Sequence, residues 1–465
     1  MSFTSLENSE LLPKLDTKVD TTDKIVRPIG IIEAIQEEKI RMAIEEVISE
    51  ILEIPLGSVK KRNSINQNIK FQKSPTIIGL FIFINIRKME VKEPKTIKNY
   101  TIIGQGLAGS ILAYFLLKEG QNVQIFDNPS IPSSSKIAAG IYNPVTGKRL
   151  VKTWLADEIF PFLEDFYPQL EEELNAKFFF PMPLFHPFPD IATQKFFKSD
   201  HISDDFFDYC SLTFENLDRK GTVNSTLGGI TMKHAGWVDL KVMLNAFRDY
   251  FIERNILTTA PHDGGAFSSI ITAKKSDEKV PPSGAGRPTL RRQTLRGSVT
   301  IFCEGYNGKF NPHFSYLPFN PVKGEILDIE IQDLDLQEII NQGVFVIPLK
   351  NNKYRLGATY KWDVLDDIST EEARELLTEK YQKLMKPPMR ILSQLAGVRP
   401  ATKDRRPFIG IHPELKNIGI FNGFGSKGVS LAPFFGKQFV DFLIHKKELH
   451  PEVNINRFAS LYLGY

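Results

Sequence analysis

Cysteine is scarce in this sequence. Its 465 residues include only Cys210 and Cys303, which lie far apart with no CxxC pair and no Cys/His cluster. Neither a disulfide framework nor a structural zinc site is therefore indicated. The eight histidines show neither an HExxH motif nor a paired spacing, so we expect no metal. This cysteine usage favours a reducing compartment, and we expect a cytoplasmic protein.

Neither sign of charge dominates, because 58 Lys and Arg stand against 55 Asp and Glu. A net charge of +3 gives no electrostatic reason to expect nucleic acid or membrane as the main partner, so we expect a small molecule. Long apolar runs are also missing. The most apolar window before the main body, the eleven residues at 76–86, falls short of the roughly 20 residues that a membrane-spanning helix needs. We predict a strand or buried segment there, with a peripheral membrane contact as the alternative.

The sequence does contain enough apolar material for sizeable cores. With 42% hydrophobic, 11% aromatic and 24% charged residues it predicts two or three domains, and a disordered or fibrous protein is excluded. The polar, acidic N-terminus indicates no secretory signal. Residues 1–97 hold a predicted helix at 31–54 but no chemical motif, and Met89 is an alternative start. Residues 280–297 carry four arginines and no acid, which predicts a solvated loop, with an RNA or anion contact as the alternative.

A glycine-rich turn follows the first recognisable strand. Gly104, Gly106 and Gly109 form GxGxxG between a strand and a helix, and Asp127 ends the next strand. These glycines allow a tight turn, a close approach of a pyrophosphate and close packing of helix on strand. The acidic side chain suits ribose hydroxyls and would repel a 2′-phosphate. The motif predicts a dinucleotide site but leaves NAD and FAD open.

The elements that follow favour a large ligand held from both ends of the chain. Alternating runs at 322–331, 343–350 and 353–362 are typical of antiparallel strands with one buried face. A second glycine-rich strand–helix junction comes at 417–444, over 290 residues after the first.

Five more side chains have a predicted role. Asp239 is predicted to cap the helix that starts at Leu240. Four tyrosines are predicted to be core residues, since aromatic residues in strands usually are, with substrate orientation as the alternative. They are Tyr142, Tyr316, Tyr354 and Tyr360.

Several segments resemble the D-amino-acid oxidase family of FAD-dependent oxidoreductases, particularly its glycine oxidase branch. The resemblance covers about residues 98–458, and its motifs stand in the family's usual order. These motifs are the opening GQGLAG (104–109), HAGWVDLKVML (234–244), PVKGEILDI (321–329), AGVRPATKDRRPFIG (396–410) and NGFGSKGVSLAP (422–433).

The resemblance implies an α/β flavoprotein with two domains. An FAD-binding Rossmann-like domain is built from non-contiguous segments, and a substrate domain covers the flavin with an antiparallel sheet. The predicted boundaries are 1–97 for an N-terminal extension of unknown role, 98–150, 236–310 and 399–465 for the FAD-binding domain, and 151–235 and 311–398 for the substrate domain.

The resemblance also implies noncovalent FAD and two catalytic roles. Arg399, in the GxRP motif, would bind the substrate carboxylate with its planar two-point fork; a structural ion pair is the alternative. Lys427 would supply positive charge where the branch tends to carry Arg; a solvent-facing lysine is the alternative. The predicted FAD contacts are Gly104, Gly106, Leu107, Ala108, Gly109, Asp127, Ser134, Ser135, Ala139, Gly140, Gly305, Gly423, Gly425, Ser426, Lys427, Gly428 and Val429.

The implied activity is oxidation of the C–N bond of a small amine or amino acid of the glycine or D-amino-acid type. Hydride passes to flavin N5 and an imine forms, without a protein general base. The electron acceptor, oxygen or another, and the oligomeric state stay open. The tract AAGIYNPVTGKR (138–149) also resembles the oxidase domain of a bifunctional tRNA wobble-uridine modification enzyme. Oxidation of a carboxymethylaminomethyl group on tRNA is therefore an alternative, and a non-catalytic flavin- or RNA-binding protein is a second.

Overall fold

The computed structural model describes residues 97–147, 150–199, 204–215, 219, 221–259 and 298–462. The predictions for residues 31–54, 76–86 and 280–297 lie outside these ranges. The strands are β1 (Asn99–Ile103), β2 (Asn122–Asp127), β3 (Ile141–Tyr142), β4 (Val145–Thr146), β5 (Val151–Lys152), β6 (Phe179–Pro181), β7 (Leu184–Pro187), β8 (Cys210–Thr213), β9 (Gly229–Met232), β10 (Gly236–Val238), β11 (Leu257–Thr259), β12 (Val299–Phe302), β13 (Val322–Glu330), β14 (Ile339–Gln342), β15 (Val344–Pro348), β16 (Lys353–Gly357), β17 (Arg390–Arg399), β18 (Phe408–Ile411) and β19 (Ile418–Asn422).

Helices connect these strands at several points. The α-helices are α1 (Leu107–Lys118), α2 (Ser134–Ile137), α3 (Ala156–Leu174), α4 (Ile191–Phe197), α5 (Asp204–Phe207), α6 (Leu240–Glu253), α7 (Glu371–Leu384), α8 (Gly428–His445) and α9 (Ala459–Tyr462). The 3₁₀-helices are Gly305–Phe310 and Ile455–Phe458. In the described ranges, no helix combines the length and the apolarity that crossing a membrane requires.

One six-stranded sheet gathers strands from three separated parts of the chain. Its order is β11-β2-β1-β12-β19-β18, and neighbours run parallel except β18 against β19. β1 is buried almost throughout, as expected for a parallel strand covered on both faces. The carboxyl ends of β1, β2, β12 and β19 meet at one edge, which is where ligands bind in open α/β sheets.

The second large sheet is mostly antiparallel and has the order β17-β13-β16-β15-β14-β7-β9-β8, with only β14 and β7 parallel. The runs predicted at 322–331 and 343–350 form β13 and β15, so this part of the fold is confirmed. The third predicted run, 353–362, is too long. Its strand β16 ends at Gly357, and beyond it the chain keeps only one backbone bridge, between Lys361 and Lys323.

The early end of β16 affects one of the four tyrosines that were predicted to be core residues. Tyr142, Tyr316 and Tyr354 are buried, as predicted for core residues. Tyr360 is 55% exposed, so the core prediction was wrong for it. The reason is that Tyr360 lies beyond the end of β16 and lines the cavity described below.

The helices predicted after the first glycine turn, from Leu240 and after the second glycine-rich turn form α1, α6 and α8. α3 buries Ile159, Leu163 and Phe166 at helical spacing on one face. At the start of α6 the Asp239 carboxylate accepts a hydrogen bond from the Val242 amide at 3.1 Å, which confirms the predicted cap. The predicted fold class, a mixed α/β fold with one parallel and one mainly antiparallel sheet, is confirmed. The division of the chain into two domains stays a prediction.

Candidate functional site

A cavity of about 1510 Å³ is lined by residues of both large sheets. Single small ligands usually occupy roughly 300–1,000 Å³, so this space suits a dinucleotide together with a substrate. Arg399 and every predicted FAD contact except Gly109 line it. The structure thus brings together residues from both ends of the described chain.

The glycines of the first glycine turn have different structural roles. Gly104 has φ +100°, and a Cβ there would lie 2.6 Å from the Cys303 carbonyl oxygen. A Cβ on Gly109 would lie 1.9 Å from the Gly104 carbonyl oxygen, so Gly109 serves the packing of α1 on β1 and does not line the cavity.

Gly106 is the glycine that leaves room for a ligand. It precedes α1 with φ −78°, and a Cβ there would approach nothing closer than the Ser135 hydroxyl at 3.4 Å. The helix dipole at the start of α1 favours an anion in this space. The turn therefore fits the pyrophosphate of a dinucleotide.

Asp127 lines the cavity beside this turn and is held by two donors. Its Oδ1 accepts from the Gln105 amide at 3.0 Å and its Oδ2 from Arg248 Nη1 at 3.1 Å. Sequence reasoning missed Arg248, because 121 residues separate it from Asp127 and no local pattern marks the pair.

The segment of small residues after β2 closes the turn from the other side. The Ser135 hydroxyl accepts a hydrogen bond from the Leu107 amide at 3.2 Å and so ties α2 to the start of α1. Gly140 has φ +75°, and a Cβ there would lie 1.9 Å from the Val238 carbonyl oxygen. Gly140 is thus required for packing on β10 as well as for lining the cavity.

Lys427 immediately precedes α8 and points to neighbouring hydroxyls. Its Nζ donates to Thr146 Oγ1 at 3.3 Å and to Thr153 Oγ1. Burial lowers the pKa of the Lys427 amine, and the nearby Arg406 and Arg405 lower it further. Lys427 is half-buried and not a freely solvated lysine.

Arg399 ends β17 with its side chain on the cavity wall. Its guanidinium carbon is 4.7 Å from the centre of the Tyr360 ring, and Nη1 donates to the Thr359 carbonyl oxygen at 3.3 Å. In the described part of the chain no carboxylate pairs with it. Burial lowers the pKa of the guanidinium. The described residues therefore give no support to the alternative of a structural ion pair.

Gly324, which sequence reasoning missed, makes room for this guanidinium. A Cβ on Gly324 would lie 2.1 Å from Arg399 Nη1. The sequence KGEIL does contain this glycine within a predicted strand, but only the pairing of β13 with β17 shows which side chain needs the space.

Glu304, between β12 and Gly305, is a second missed residue of the cavity wall. Its Oε2 accepts from Asn311 Nδ2 at 2.7 Å. Burial raises the pKa of the Glu304 carboxyl to about 7, and the Asn311 bond only partly offsets this.

Because of Glu304, the free energy of unfolding should fall as the pH rises. The folded state holds the proton up to about pH 7, whereas the unfolded chain releases it near the usual pKa of about 4.5, so stability is lost between these values. From pH 5.5 to 8 we expect the unfolding free energy of wild type to drop by about 2 kcal/mol more than that of Glu304→Gln. Urea titrations at both pH values measure this. A parallel pH dependence of the two proteins would contradict it; Glu158→Gln, an exposed change on α3, is the control.

The sheet and the first glycine turn are typical of a dinucleotide-binding α/β protein. Residues 99–442 match the FAD dependent oxidoreductase (DAO) family, and the chain belongs to that family. It is accordingly an enzyme that depends on FAD, as predicted. Noncovalent attachment stays a prediction.

The similar proteins agree with this assignment. Glycine oxidase of Bacillus subtilis (strain 168) is 33% identical over 136 residues, 28% of this chain and 36% of that protein. The tRNA 5-methylaminomethyl-2-thiouridine biosynthesis bifunctional protein MnmC of Hahella chejuensis is 22% identical over 378 residues, 74% of this chain and 56% of that protein. The alignments thus span about a third and just over half of these relatives. The crystal structure of glycine oxidase from Bacillus cereus has a TM-score of 0.58 at 19% identity, covering 76% of this chain and 96% of that one.

Proposed function

We propose that this enzyme oxidises the C–N bond of a small amine or amino acid that carries a carboxylate. The observation that supports this proposal most directly is the Arg399 guanidinium, which lies half-buried on the cavity wall with no carboxylate partner in the described residues. A buried charge without a counter-charge is costly, and a substrate carboxylate removes that cost by pairing with it. The glycine oxidases among the similar proteins support an amino acid as substrate.

The protein's contribution is mainly positioning. Tyr360 and the Thr359 carbonyl fix the plane of Arg399, and Arg399 then fixes the carboxylate and with it the direction of the C–H bond. FAD, when bound, supplies the acceptor for the hydride. The amine reacts in its neutral form, and the imine that leaves the site is hydrolysed by water.

Lys427 has a second role in this proposal. It places positive charge at the start of α8, where the helix dipole has the same sign, and Thr146 and Thr153 hold its amine in place. Negative charge that develops on the reduced cofactor would be stabilised there.

Product analysis tests the proposal. The FAD-loaded enzyme is incubated with glycine, sarcosine, proline or D-amino acids, with oxygen or a dye as acceptor. We expect a 2-oxo acid and released amine or ammonia from an acyclic substrate, the cyclic imine from proline, and no product from methylamine, which lacks the carboxylate. Turnover of methylamine at the rate of glycine would contradict the role of Arg399.

A larger substrate, the carboxymethylaminomethyl group of a tRNA base, is the second candidate. The cavity wall carries Tyr360 and Trp362, which are 55% and 58% exposed with ring centres 6.3 Å apart and planes at 27°. Exposed aromatic faces bind unstacked bases. Lys403 and Arg405 also line the cavity and suit phosphate. The MnmC relative supports this candidate.

Trp362→Ala distinguishes the two candidates. If a ring of the substrate stacks on Trp362, we expect the KM for N-benzylglycine to rise roughly 10-fold and the KM for sarcosine to stay unchanged. Phe196→Ala, an equally exposed aromatic residue on α4 outside the cavity, is the control. Equal KM values for N-benzylglycine in wild type and variant, with no change in the nucleosides of carboxymethylaminomethyl tRNA after incubation, would rule out the second candidate.

A further inference from the structure

The carboxylate predicted to bind the adenosine ribose is held by a side chain from outside the cavity. Asp127 lines the cavity, whereas Arg248, in the middle of α6, does not. Arg248 Nη1 donates to Asp127 Oδ2 at 3.1 Å, and the two side chains are only 23% and 15% exposed. Arg248 therefore acts on the cofactor site through the residues to which it is hydrogen-bonded.

The same guanidinium nitrogen also holds the glycine turn. Gln105 stands between Gly104 and Gly106 with only 4% of its surface exposed. Its side-chain oxygen accepts from Arg248 Nη1 at 2.9 Å, and its side-chain nitrogen donates to the Leu244 carbonyl oxygen of α6 at 3.1 Å. The Gln105 backbone amide donates in turn to Asp127. One network thus joins α6, the turn and the carboxylate.

We propose that Arg248 is a positioning residue for the adenosine half of FAD. An ionised carboxylate offers about four acceptor positions, and Gln105 and Arg248 occupy one on each oxygen of Asp127. The positions that remain accept the ribose hydroxyls. Arg248 fixes the rotation of the Asp127 carboxylate, so that these positions face the ribose.

Loss of Arg248 leaves two acceptors without their donor. The Asp127 carboxylate loses its charge partner, and the Gln105 amide oxygen loses its only hydrogen bond in the described structure. The carboxylate is then free to rotate, and this weakens its bonds to the ribose.

The test is the affinity of the full-chain apoprotein for FAD, followed by the quenching of flavin fluorescence. Because hydrogen bonds to a charged group contribute about 1.5–3 kcal/mol, Arg248→Met should raise the Kd roughly 10- to 100-fold. For an FAD analogue without the adenosine 2′-hydroxyl, which keeps only one of the two ribose hydroxyls, the factor should be at least about threefold smaller. Arg254→Met, just past the end of the same helix, is the matched control and should leave both Kd values unchanged.

A merely structural role of Arg248 gives a different result. The same rise in Kd for FAD and for the analogue would overturn the proposal, as would an unchanged Kd for FAD. If Arg248→Met does not fold, as judged from circular dichroism, Arg248→Lys decides. It keeps the charge near Asp127 but cannot bond Asp127 and Gln105 together, so the Kd for FAD should rise more than that for the analogue, and equal factors would again overturn the proposal.

Discussion

Replacing Arg399 by alanine is expected to raise the KM for a carboxylated amine at least 100-fold while FAD stays bound. The lost interaction is a pair of charge-assisted hydrogen bonds at a partly dehydrated site, together about 3–5 kcal/mol. Arg399 lies on β17, and the change leaves the glycine turns untouched. Steady-state kinetics with glycine or sarcosine, and the ratio of flavin to protein in the absorption spectrum, measure the two parts of this result.

Two further variants test whether the KM depends on the position of the Arg399 guanidinium as well as on its charge. Gly324→Ala keeps Arg399 but places a methyl group 2.1 Å from the present position of Nη1, so the guanidinium must move and the KM should rise about 10-fold. Arg390→Ala, at the exposed beginning of the same strand, removes a surface ion pair with Glu330 and should leave the KM unchanged. An unchanged KM in Arg399→Ala would contradict the carboxylate role.

Gly106→Val should yield protein without flavin. The valine side chain fills the space that the pyrophosphate needs at the start of α1, and several hydrogen bonds to phosphate oxygens are lost together, so affinity for FAD should fall roughly 100-fold or more. The ratio of flavin to protein after purification, and again after dialysis against FAD, measures this loss.

The chain itself should tolerate Gly106→Val. The backbone at Gly106 has φ −78°, which any residue adopts, and the nearest atom to its Cβ is the Ser135 hydroxyl at 3.4 Å. Gly104→Val, by contrast, should disturb the fold, because its Cβ would lie 2.6 Å from the Cys303 carbonyl oxygen at φ +100°. Gly221→Val, with open space around it, is the matched control. Full flavin content in Gly106→Val would contradict the glycine-turn assignment.

Local sequence signals predicted the parts of the site that depend on backbone shape. The sequence predicts the three glycines of the first turn because a strand, a tight turn and a helix require them at fixed spacing. They are Gly104, Gly106 and Gly109. Asp127 and the cap at Asp239 follow from their places at the ends of elements. The resemblance to the oxidase family added Arg399 and Lys427, which periodicity alone does not single out.

The residues that sequence reasoning missed depend on contacts between distant segments. In the sequence, Arg248 is one polar residue of an amphipathic helix. Its contacts with the first glycine turn and Asp127 arise only because α6 packs beside that turn. In the sequence, Gly324 only interrupts a strand. Its role becomes clear because β17 places the Arg399 side chain against it. Trp362 continues an alternating pattern, but the strand ends at Gly357 and leaves this side chain on the cavity wall.

The most direct test of the proposed activity is the visible spectrum of the FAD-loaded enzyme during anaerobic addition of amines. Glycine, sarcosine, proline, D-amino acids and N-benzylglycine are added in turn, with methylamine as the carboxylate-free control. We predict that at least one carboxylated amine bleaches the long-wavelength flavin band and that methylamine does not. A flavin band that persists with every carboxylated amine and with carboxymethylaminomethyl tRNA would contradict C–N oxidation of a carboxylated amine by this enzyme.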